Sequence, residues 1–146
     1  MSREFLDVLL VEDDKIDVKN VYKAFEKLKI SNPLVVASNG LEALDMLRGK
    51  NGHSQVYPTL VLLDLNMPRM NGIEFLANLR EDEELHALSV VVLTTSAEQK
   101  DIIEAYDFHV AGYIVKAMQP TEFLESMATL HSYWKICEKP GAKRRC

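Results

Sequence analysis

The sequence predicts an α/β protein built on a doubly wound, five-stranded parallel sheet. Two observations lead to this prediction. Short apolar runs rich in β-branched residues recur along the chain, and a segment of helix length with apolar residues at helical spacing follows each run. Uninterrupted apolar runs of this kind are typical of parallel strands that helices cover on both faces. The alternation occurs five times, which predicts a (βα)5 chain with right-handed crossovers.

Five apolar runs are the predicted strands. They are Asp7–Val11, Leu34–Ala37, Thr59–Leu63, Ser89–Leu93 and Gly112–Val115. For a doubly wound chain of this size, the flavodoxin-like strand order 2-1-3-4-5 is a common solution. We therefore expect the first strand to lie between the second and the third.

Each predicted helix carries an apolar face, and Asp14 is placed to cap the first. The residues expected to face the core are Val18, Val21, Phe25 and Leu28 in the first helix, Leu41, Leu44 and Leu47 in the second, Ile73, Leu76 and Leu79 in the third, Ile102, Ile103 and Tyr106 in the fourth, and Phe123, Met127 and Leu130 in the fifth. Tyr133 and Trp134 come late in the last helix, beyond the expected reach of the core. They are a candidate seam for a homodimer.

Length and composition fit one domain, which we expect to span residues 1–138, with 139–146 as a disordered tail. The net charge is -5, which argues against a generic nucleic-acid binder. No apolar stretch reaches the roughly 20 residues that a membrane-spanning helix needs, and the N-terminus does not resemble a signal peptide. We expect a cytoplasmic protein that binds neither nucleic acid nor membrane.

Polar residues stand where four of the apolar runs end. Glu12 and Asp13 follow the first strand, Asp64 the third, Thr94 the fourth and Lys116 the fifth. In parallel α/β sheets, ligands bind beyond the carboxyl ends of the strands. Three carboxylates, a hydroxyl and an ammonium group are therefore expected to meet in one cleft.

These residue types suit metal-assisted phosphoryl chemistry. Three adjacent carboxylates repel one another, and a hard divalent cation such as Mg2+ removes that conflict. The hydroxyl of Thr94 and the ammonium group of Lys116 suit the charged oxygens of a phosphoryl group. The carboxylate of Asp64 can act as a nucleophile, because an aspartate can form an acyl phosphate.

In order and spacing, four motifs resemble the signature of two-component receiver domains. They are Leu9-Leu-Val-Glu-Asp-Asp14, Leu62-Leu-Asp-Leu-Asn-Met-Pro68 with Asn71-Gly72, Val92-Leu-Thr-Thr95 and Gly112-Tyr-Ile-Val-Lys116. The resemblance covers about residues 5–135. It implies a single-domain response regulator, a signalling protein rather than an enzyme, whose chemistry is limited to its own phosphorylation and dephosphorylation.

The resemblance also implies roles for the polar residues. Asp64 would accept a phosphoryl group from a sensor histidine kinase. Asp13 and Asp64 would bind Mg2+ directly, together with the backbone carbonyl of Asn66, and Glu12 would act through a metal-bound water.

A switch is implied as well. Thr94 and Tyr113 would be the switch pair, and Lys116 would contact the phosphoryl oxygens. Phosphorylation of Asp64 would draw the hydroxyl of Thr94 inward and let Tyr113 rotate. The surface formed by the fourth helix, the fifth strand and the fifth helix would then change.

A narrower likeness points to a partner. Thr94-Thr-Ser96, Phe108-His-Val110 and Ser132-Tyr-Trp134 are similar to the stand-alone receivers that serve cyanobacterial and bacterial phytochromes. This likeness implies a phytochrome-type, light-sensing kinase and pairing of two copies through the C-terminal helix. The downstream protein target is not identified by the sequence.

One position departs from the receiver pattern. Receivers usually carry proline after the site lysine, often with a cis peptide bond, whereas Ala117 follows Lys116 here. A cis bond costs about 2.5–4 kcal/mol before a non-proline residue and roughly 0.5–1 kcal/mol before proline. Either this bond is trans and the loop differs, or the fold holds a strained cis bond.

Two other functions compete with the receiver interpretation. The first is a receiver-like scaffold that binds a partner without being phosphorylated, for which Ala117 is the supporting feature. The second is an aspartate-nucleophile phosphatase of the dehalogenase type. Such enzymes carry a second aspartate two residues after the nucleophile, where this chain has Asn66, and their nucleophile follows the first strand rather than the third.

Overall fold

The computed structural model describes residues 7–116 and 119–137. Five strands and five helices alternate along them. The elements are β1 Val8–Val11, α1 Lys15–Lys27, β2 Leu34–Ala37, α2 Gly40–Arg48, β3 Leu60–Leu63, α3 Gly72–Glu81, β4 Val90–Thr94, α4 Gln99–Asp107, β5 Gly112–Val115 and α5 Pro120–Ile136. The bond between Lys116 and Ala117 and the tail 139–146, for which the sequence raised expectations, lie outside the described residues.

The strands form one parallel sheet in the order β2-β1-β3-β4-β5, which confirms the predicted fold class and strand order. The last residues of the central strands are in register, because Val11 pairs with both Ala37 and Leu63. The chain therefore leaves β1 and β3 at the same edge of the sheet. Glu12 and Asp64 are the first residues beyond that edge.

Side chains of each strand alternate between two apolar clusters, one on each face of the sheet. Leu9, Val11 and Leu63 belong to the cluster covered by α2 and α3, which we call the α2–α3 cluster. Leu10 and Leu62 belong to the cluster covered by α1 and α5, which we call the α1–α5 cluster. Burial on both faces explains why the strands are continuous apolar runs.

Side-chain caps fix where three helices begin. Asp14 accepts hydrogen bonds from the amides of the first turn of α1, as the sequence predicted. Asn39 caps α2, and Asn71 forms a reciprocal capping box with Glu74 at the start of α3. These three helices begin on the side of the sheet where β1, β2 and β3 end.

The prediction that α4 faces the core through Ile102, Ile103 and Tyr106 is wrong for two of these three residues. The same prediction for Leu41 in α2 is also wrong, because Leu41 is exposed. Ile103 is 57% exposed and Tyr106 is 48% exposed. The covered stripe of α4 instead runs through the partly buried Ile102 and the buried Ala105. Ile103 and Tyr106 each follow a stripe residue by one position, which rotates them about 100° toward solvent.

Of the two aromatic residues predicted to lie beyond the core at the end of α5, one is covered by the core and one is exposed. Trp134 packs against the α1–α5 cluster, so the expectation that it lies beyond the reach of the core is wrong. Tyr133 and Ile136 are 59% and 79% exposed. Within the described residues, no helix combines the length and apolar character needed to cross a membrane.

Candidate functional site

Three carboxylates gather where β1 and β3 end, as the sequence predicted. Glu12, Asp13 and Asp64 each offer an oxygen atom, and these atoms lie within 4.8 Å of one another. Glu12 is 3% exposed and Asp64 is 7% exposed, whereas Asp13 is open to solvent. Two buried acids and one accessible acid suit a hard divalent cation that keeps several water ligands.

The backbone around Asp64 is fixed by close packing. The Asp64 amide donates a 3.0 Å hydrogen bond to the carbonyl of Val11. At the start of α3, the amide of Gly72 donates to the carbonyl of Leu65, also at 3.0 Å. A Cβ atom on Gly72 would lie 2.6 Å from the Asp64 carbonyl oxygen, so glycine allows α3 to sit directly against this segment.

Burial is the main cause of a raised pKa at the Glu12 carboxyl. The pKa of the Glu12 carboxyl is raised to about 7, because burial, helped by the charge of Asp64, outweighs the opposing effect of the Lys116 ammonium group. The Asp14 amide also donates to Glu12 Oε2, at 3.2 Å. The carboxyl is therefore poised between its neutral and charged forms in the metal-free protein.

The ammonium group of Lys116 is held by two carboxylates. It donates to Glu12 Oε1 and, at 2.8 Å, to Asp17 Oδ2, and its side chain is 10% exposed. Burial lowers the pKa of Lys116, but the hydrogen bonds to Asp17 and Glu12 outweigh burial and raise it above its ordinary value. The backbone amide of Lys116 donates to the carbonyl of Thr94 at 2.7 Å, which places the ends of β4 and β5 side by side.

Asp17 is a site residue that the sequence reasoning missed. It lies in the first turn of α1, four residues after Asp13, and α1 begins at the site. Asp13 precedes the N-cap residue Asp14 and lies outside the helix, so no helical spacing joins it to Asp17. The available signal was an acid in the first turn of a helix that begins where β1 ends, but it could not show that Lys116, almost a hundred positions away, approaches it.

Thr94 is the last residue of β4 and is 0% exposed. Its hydroxyl is buried and finds no hydrogen-bond partner among the described residues. A buried hydroxyl in this state costs free energy, which a newly arrived oxygen acceptor would recover. This orphaned donor fits the predicted binding of a phosphoryl oxygen.

Tyr113 is anchored to the segment before α4, which we call the β4–α4 segment (Thr95–Glu98). Its hydroxyl donates a 2.8 Å hydrogen bond to the carbonyl of Ser96, and its ring packs against the α2–α3 cluster. The Ser96 hydroxyl in turn donates to Asp101 Oδ2 in the first turn of α4. Burial is the main reason why the pKa of Tyr113 is raised.

Asn66 lies two residues past Asp64 and is exposed. The described carboxylates that could hold a metal are those of Glu12, Asp13 and Asp64. The participation of the Asn66 carbonyl stays a prediction.

Comparison with known proteins now defines the class. Residues 8–128 match the family model for the response regulator receiver domain. The match covers most of the chain and every site residue described above. The chain therefore belongs to the response regulator receiver family.

Three relatives show where in the family the chain lies. The probable methanogenesis regulatory protein FilR2 of Methanothrix harundinacea is 35% identical over 87% of this chain and 82% of its own. Response regulator Rcp1 of Synechocystis is 34% identical over 87% of both chains, and its Mn2+-bound structure superposes with a TM-score of 0.85 at 32% identity over 93% of this chain and 99% of that one. The phosphorylated cyanobacterial phytochrome response regulator RcpA gives the same TM-score, identity and coverage. The chain is thus a receiver related to phytochrome response regulators.

Proposed function

We propose that this protein is a phosphorylation-controlled receiver of a two-component phosphorelay in which Asp64 accepts a phosphoryl group from a sensor histidine kinase. One observation carries the proposal. The nearly buried carboxylate of Asp64 lies within 4.8 Å of two further carboxylates, and one of these, Glu12, is paired with the ammonium group of Lys116. Anionic and cationic groups at the ends of parallel strands suit a group transfer to Asp64.

The transfer needs little covalent machinery. A carboxylate oxygen of Asp64 attacks phosphorus, the bond from phosphorus to the donor's imidazole nitrogen breaks, and that nitrogen keeps the electron pair. Lys116 and the Thr94 hydroxyl then hydrogen-bond to the phosphoryl oxygens. Attack by water on phosphorus later returns the Asp64 carboxylate and inorganic phosphate.

Mg2+ is the proposed metal. Asp13 and Asp64 would hold it directly with the carbonyl of Asn66, and Glu12 would hold one of its waters. When bound, the ion would neutralise the carboxylates and the charge that develops on the phosphoryl oxygens. Support comes from the 4.8 Å spacing of the acids and from the Mn2+-bound form of the relative Rcp1.

The proposed donor is a phytochrome-type, light-sensing kinase. The support is the similarity to RcpA, a phytochrome response regulator, and to a response regulator of red light signalling in R. palustris. FilR2, which is equally similar in sequence, is instead a probable methanogenesis regulatory protein. Transfer rates from a phytochrome-type kinase and from an unrelated histidine kinase would decide the question, and a faster transfer from the unrelated kinase would refute this partner.

Output is proposed to run through α4, β5 and α5. Ile103 and Tyr106 on α4, Val115 on β5, and Tyr133 and Ile136 on α5 are exposed apolar residues. These residues form the proposed contact surface, and a homodimer through α5 would cover those on α5. Sedimentation of wild type and Tyr133→Arg tests the dimer, since a monomeric wild type would refute it.

The protein is proposed to act in the cytoplasm.

Two alternatives have less support. A phosphatase of the dehalogenase type would need an acid where Asn66 lies and a nucleophile after β1, but Asp64 follows β3. A scaffold that is never phosphorylated would have no use for the buried, unpartnered hydroxyl of Thr94.

The experiment is incubation with a small phosphodonor, with and without Mg2+, followed by intact mass. We expect one phosphoryl adduct that needs Mg2+ and is absent from Asp64→Asn. Asp107→Asn, which changes an exposed acid at the end of α4, is the matched control and should react like wild type. No adduct under any condition, including with kinases supplied, would favour the scaffold.

A further inference from the structure

We propose that Asp17 is a positioning residue for phosphorylation, which acts by holding the ammonium group of Lys116 in place while Glu12 engages the metal. This inference rests on the function proposed above and adds a residue to the same site. Asp17 is not one of the clustered acids Glu12, Asp13 and Asp64, and it accepts from Lys116, so its effect passes through Lys116.

The geometry gives Asp17 a distinct place. An ammonium group carries three donors, and Glu12 and Asp17 each accept from the one on Lys116. The third donor is therefore available to a group at Asp64, whose charge already acts on Lys116. Glu12 follows β1 and Asp17 lies in α1, so the lysine tip is tied to two different elements.

The two carboxylates differ in their relation to the metal. Glu12 belongs to the cluster of acids that could hold a cation, and Asp17 does not. A cation in the cluster would compete with Lys116 for the oxygens of Glu12. Asp17 is then the carboxylate that still holds Lys116 at the moment when the phosphoryl group arrives.

Packing alone does not hold the lysine there. Lys116 lines a cavity of about 240 Å³ between α1 and α5, together with Asp17 and Thr121. Packing on this side therefore leaves room for other conformations of the flexible side chain. Charge-assisted hydrogen bonds are about twice as strong as neutral ones, so the pairs with Glu12 and Asp17 restrict the ammonium group, and the pair with Asp17 remains when Glu12 engages the metal.

The test is the rate constant of phosphorylation by a small donor at saturating Mg2+, measured by intact mass. We expect Asp17→Asn to react about tenfold more slowly than wild type, which corresponds to the loss of one charge-assisted hydrogen bond in the transition state. Glu26→Gln removes the same charge from an exposed position on α1 and should react like wild type.

A double-mutant cycle separates positioning from a structural role. In a Lys116→Met background, Asp17→Asn should cause no further loss, because Asp17 acts through the lysine. An equal loss in both backgrounds would overturn the proposal. So would an Asp17→Asn rate that equals or exceeds the wild-type rate, which would make Asp17 a competitor for the ammonium group.

A second readout does not depend on the reaction. In wild type saturated with Mg2+, the ammonium protons of Lys116 should give a slowly exchanging NMR signal that Asp17→Asn abolishes and Glu26→Gln retains, and a signal unchanged in Asp17→Asn would overturn the proposal. If wild type itself forms no phosphoryl adduct, the proposed function fails. If wild type reacts and Asp17→Asn reacts equally well, this inference alone fails.

Discussion

The hydroxyl of Tyr113 on β5 donates a 2.8 Å hydrogen bond to the backbone carbonyl of Ser96, in the β4–α4 segment. Thr94 and Lys116, at the ends of the same two strands, are joined by a backbone hydrogen bond of 2.7 Å. The site and the start of α4 are therefore connected through two adjacent strands. A change at Thr94 or Lys116 has a short physical path to α4.

Removing the Tyr113 hydroxyl should loosen the start of α4. In Tyr113→Phe, we expect faster amide hydrogen exchange in Ser96–Asp101, at a cost of about 1 kcal/mol of unfolding free energy. The phosphorylation rate should change less than about twofold, because the hydroxyl lies outside the reacting groups. Hydrogen exchange with mass detection measures this. Tyr57→Phe, which loses a hydroxyl before β3, is the control, and unchanged exchange in Ser96–Asp101 would contradict the coupling.

The orphaned hydroxyl of Thr94 should cost stability in the resting protein. Thr94→Val replaces it with a methyl group of similar shape, so we expect the free energy of unfolding to rise by about 1 kcal/mol in urea titrations. The fraction phosphorylated at steady state should fall, because a donor to the phosphoryl group is lost. Thr95→Val, at the exposed neighbour, should alter neither quantity. A destabilised Thr94→Val protein would show that the hydroxyl has a partner.

A side chain at Gly72 should displace Asp64. The added Cβ in Gly72→Ala would meet the Asp64 carbonyl oxygen at 2.6 Å, and overpacking of this kind costs about 1–3 kcal/mol. We expect weaker Mg2+ binding by calorimetry as well as lower stability. Gly112→Ala is the matched control, since its Cβ meets Val91 at an ordinary 4.0 Å. Equal Mg2+ affinity in both variants would mean that α3 does not fix the position of Asp64.

Arg80 should be a large contributor to stability. Its half-buried guanidinium group donates to four backbone carbonyls in the loops before β4 and β5, those of His86, Leu88, Phe108 and His109. Arg80→Met keeps the apolar stem but leaves these carbonyls without their donor, so we expect a loss of about 3 kcal/mol in chemical unfolding. Arg48→Met, which removes a partly exposed ion pair with Asp82, should cost less than about 1 kcal/mol. Equal losses would contradict the role of Arg80.

Asp82 should make stability depend on pH in acid. Burial raises the pKa of its carboxyl. Hydrogen bonds from the amides of Glu84 and Leu85 and from the guanidinium group of Arg48 lower it by more, so the pKa lies below the ordinary 3.8. Such a group stabilises the fold above its unfolded pKa, and the contribution is lost as the pH falls through its folded pKa. Unfolding free energies of wild type and Asp82→Asn should therefore differ at neutral pH and converge below pH 3.8. A constant difference would contradict the ionic role.

The sequence predicted the sheet and the strand-end residues well, for a physical reason. Strands buried on both faces must be apolar throughout, so the first polar residues after Val11 and Leu63 mark the sheet edge. Parallel topology then brings Glu12 and Asp64 together regardless of their distance in sequence. The spacing of the acids is a consequence of register, which the strand pattern determines.

Helix faces and ion-pair partners were harder to predict. Periodicity locates an apolar stripe but does not fix which of two adjacent sectors the sheet covers, and in α4 the covered sector runs through Ala105 rather than Ile103 and Tyr106. The pairing of Asp17 with Lys116 depends on how closely α1 approaches the end of β5. That approach is set by side-chain packing in three dimensions, which the order of residues does not encode locally.

Asp64 is the proposed carrier of the phosphoryl group. The most direct measurement treats the phosphorylated protein with borohydride, which reduces an acyl phosphate to an alcohol, and locates the modified residue by peptide mass. We expect Asp64 to be converted to homoserine, and only after incubation with phosphodonor and Mg2+. Conversion of Asp13 or another acid instead, or no conversion of a protein that carries the adduct, would contradict it.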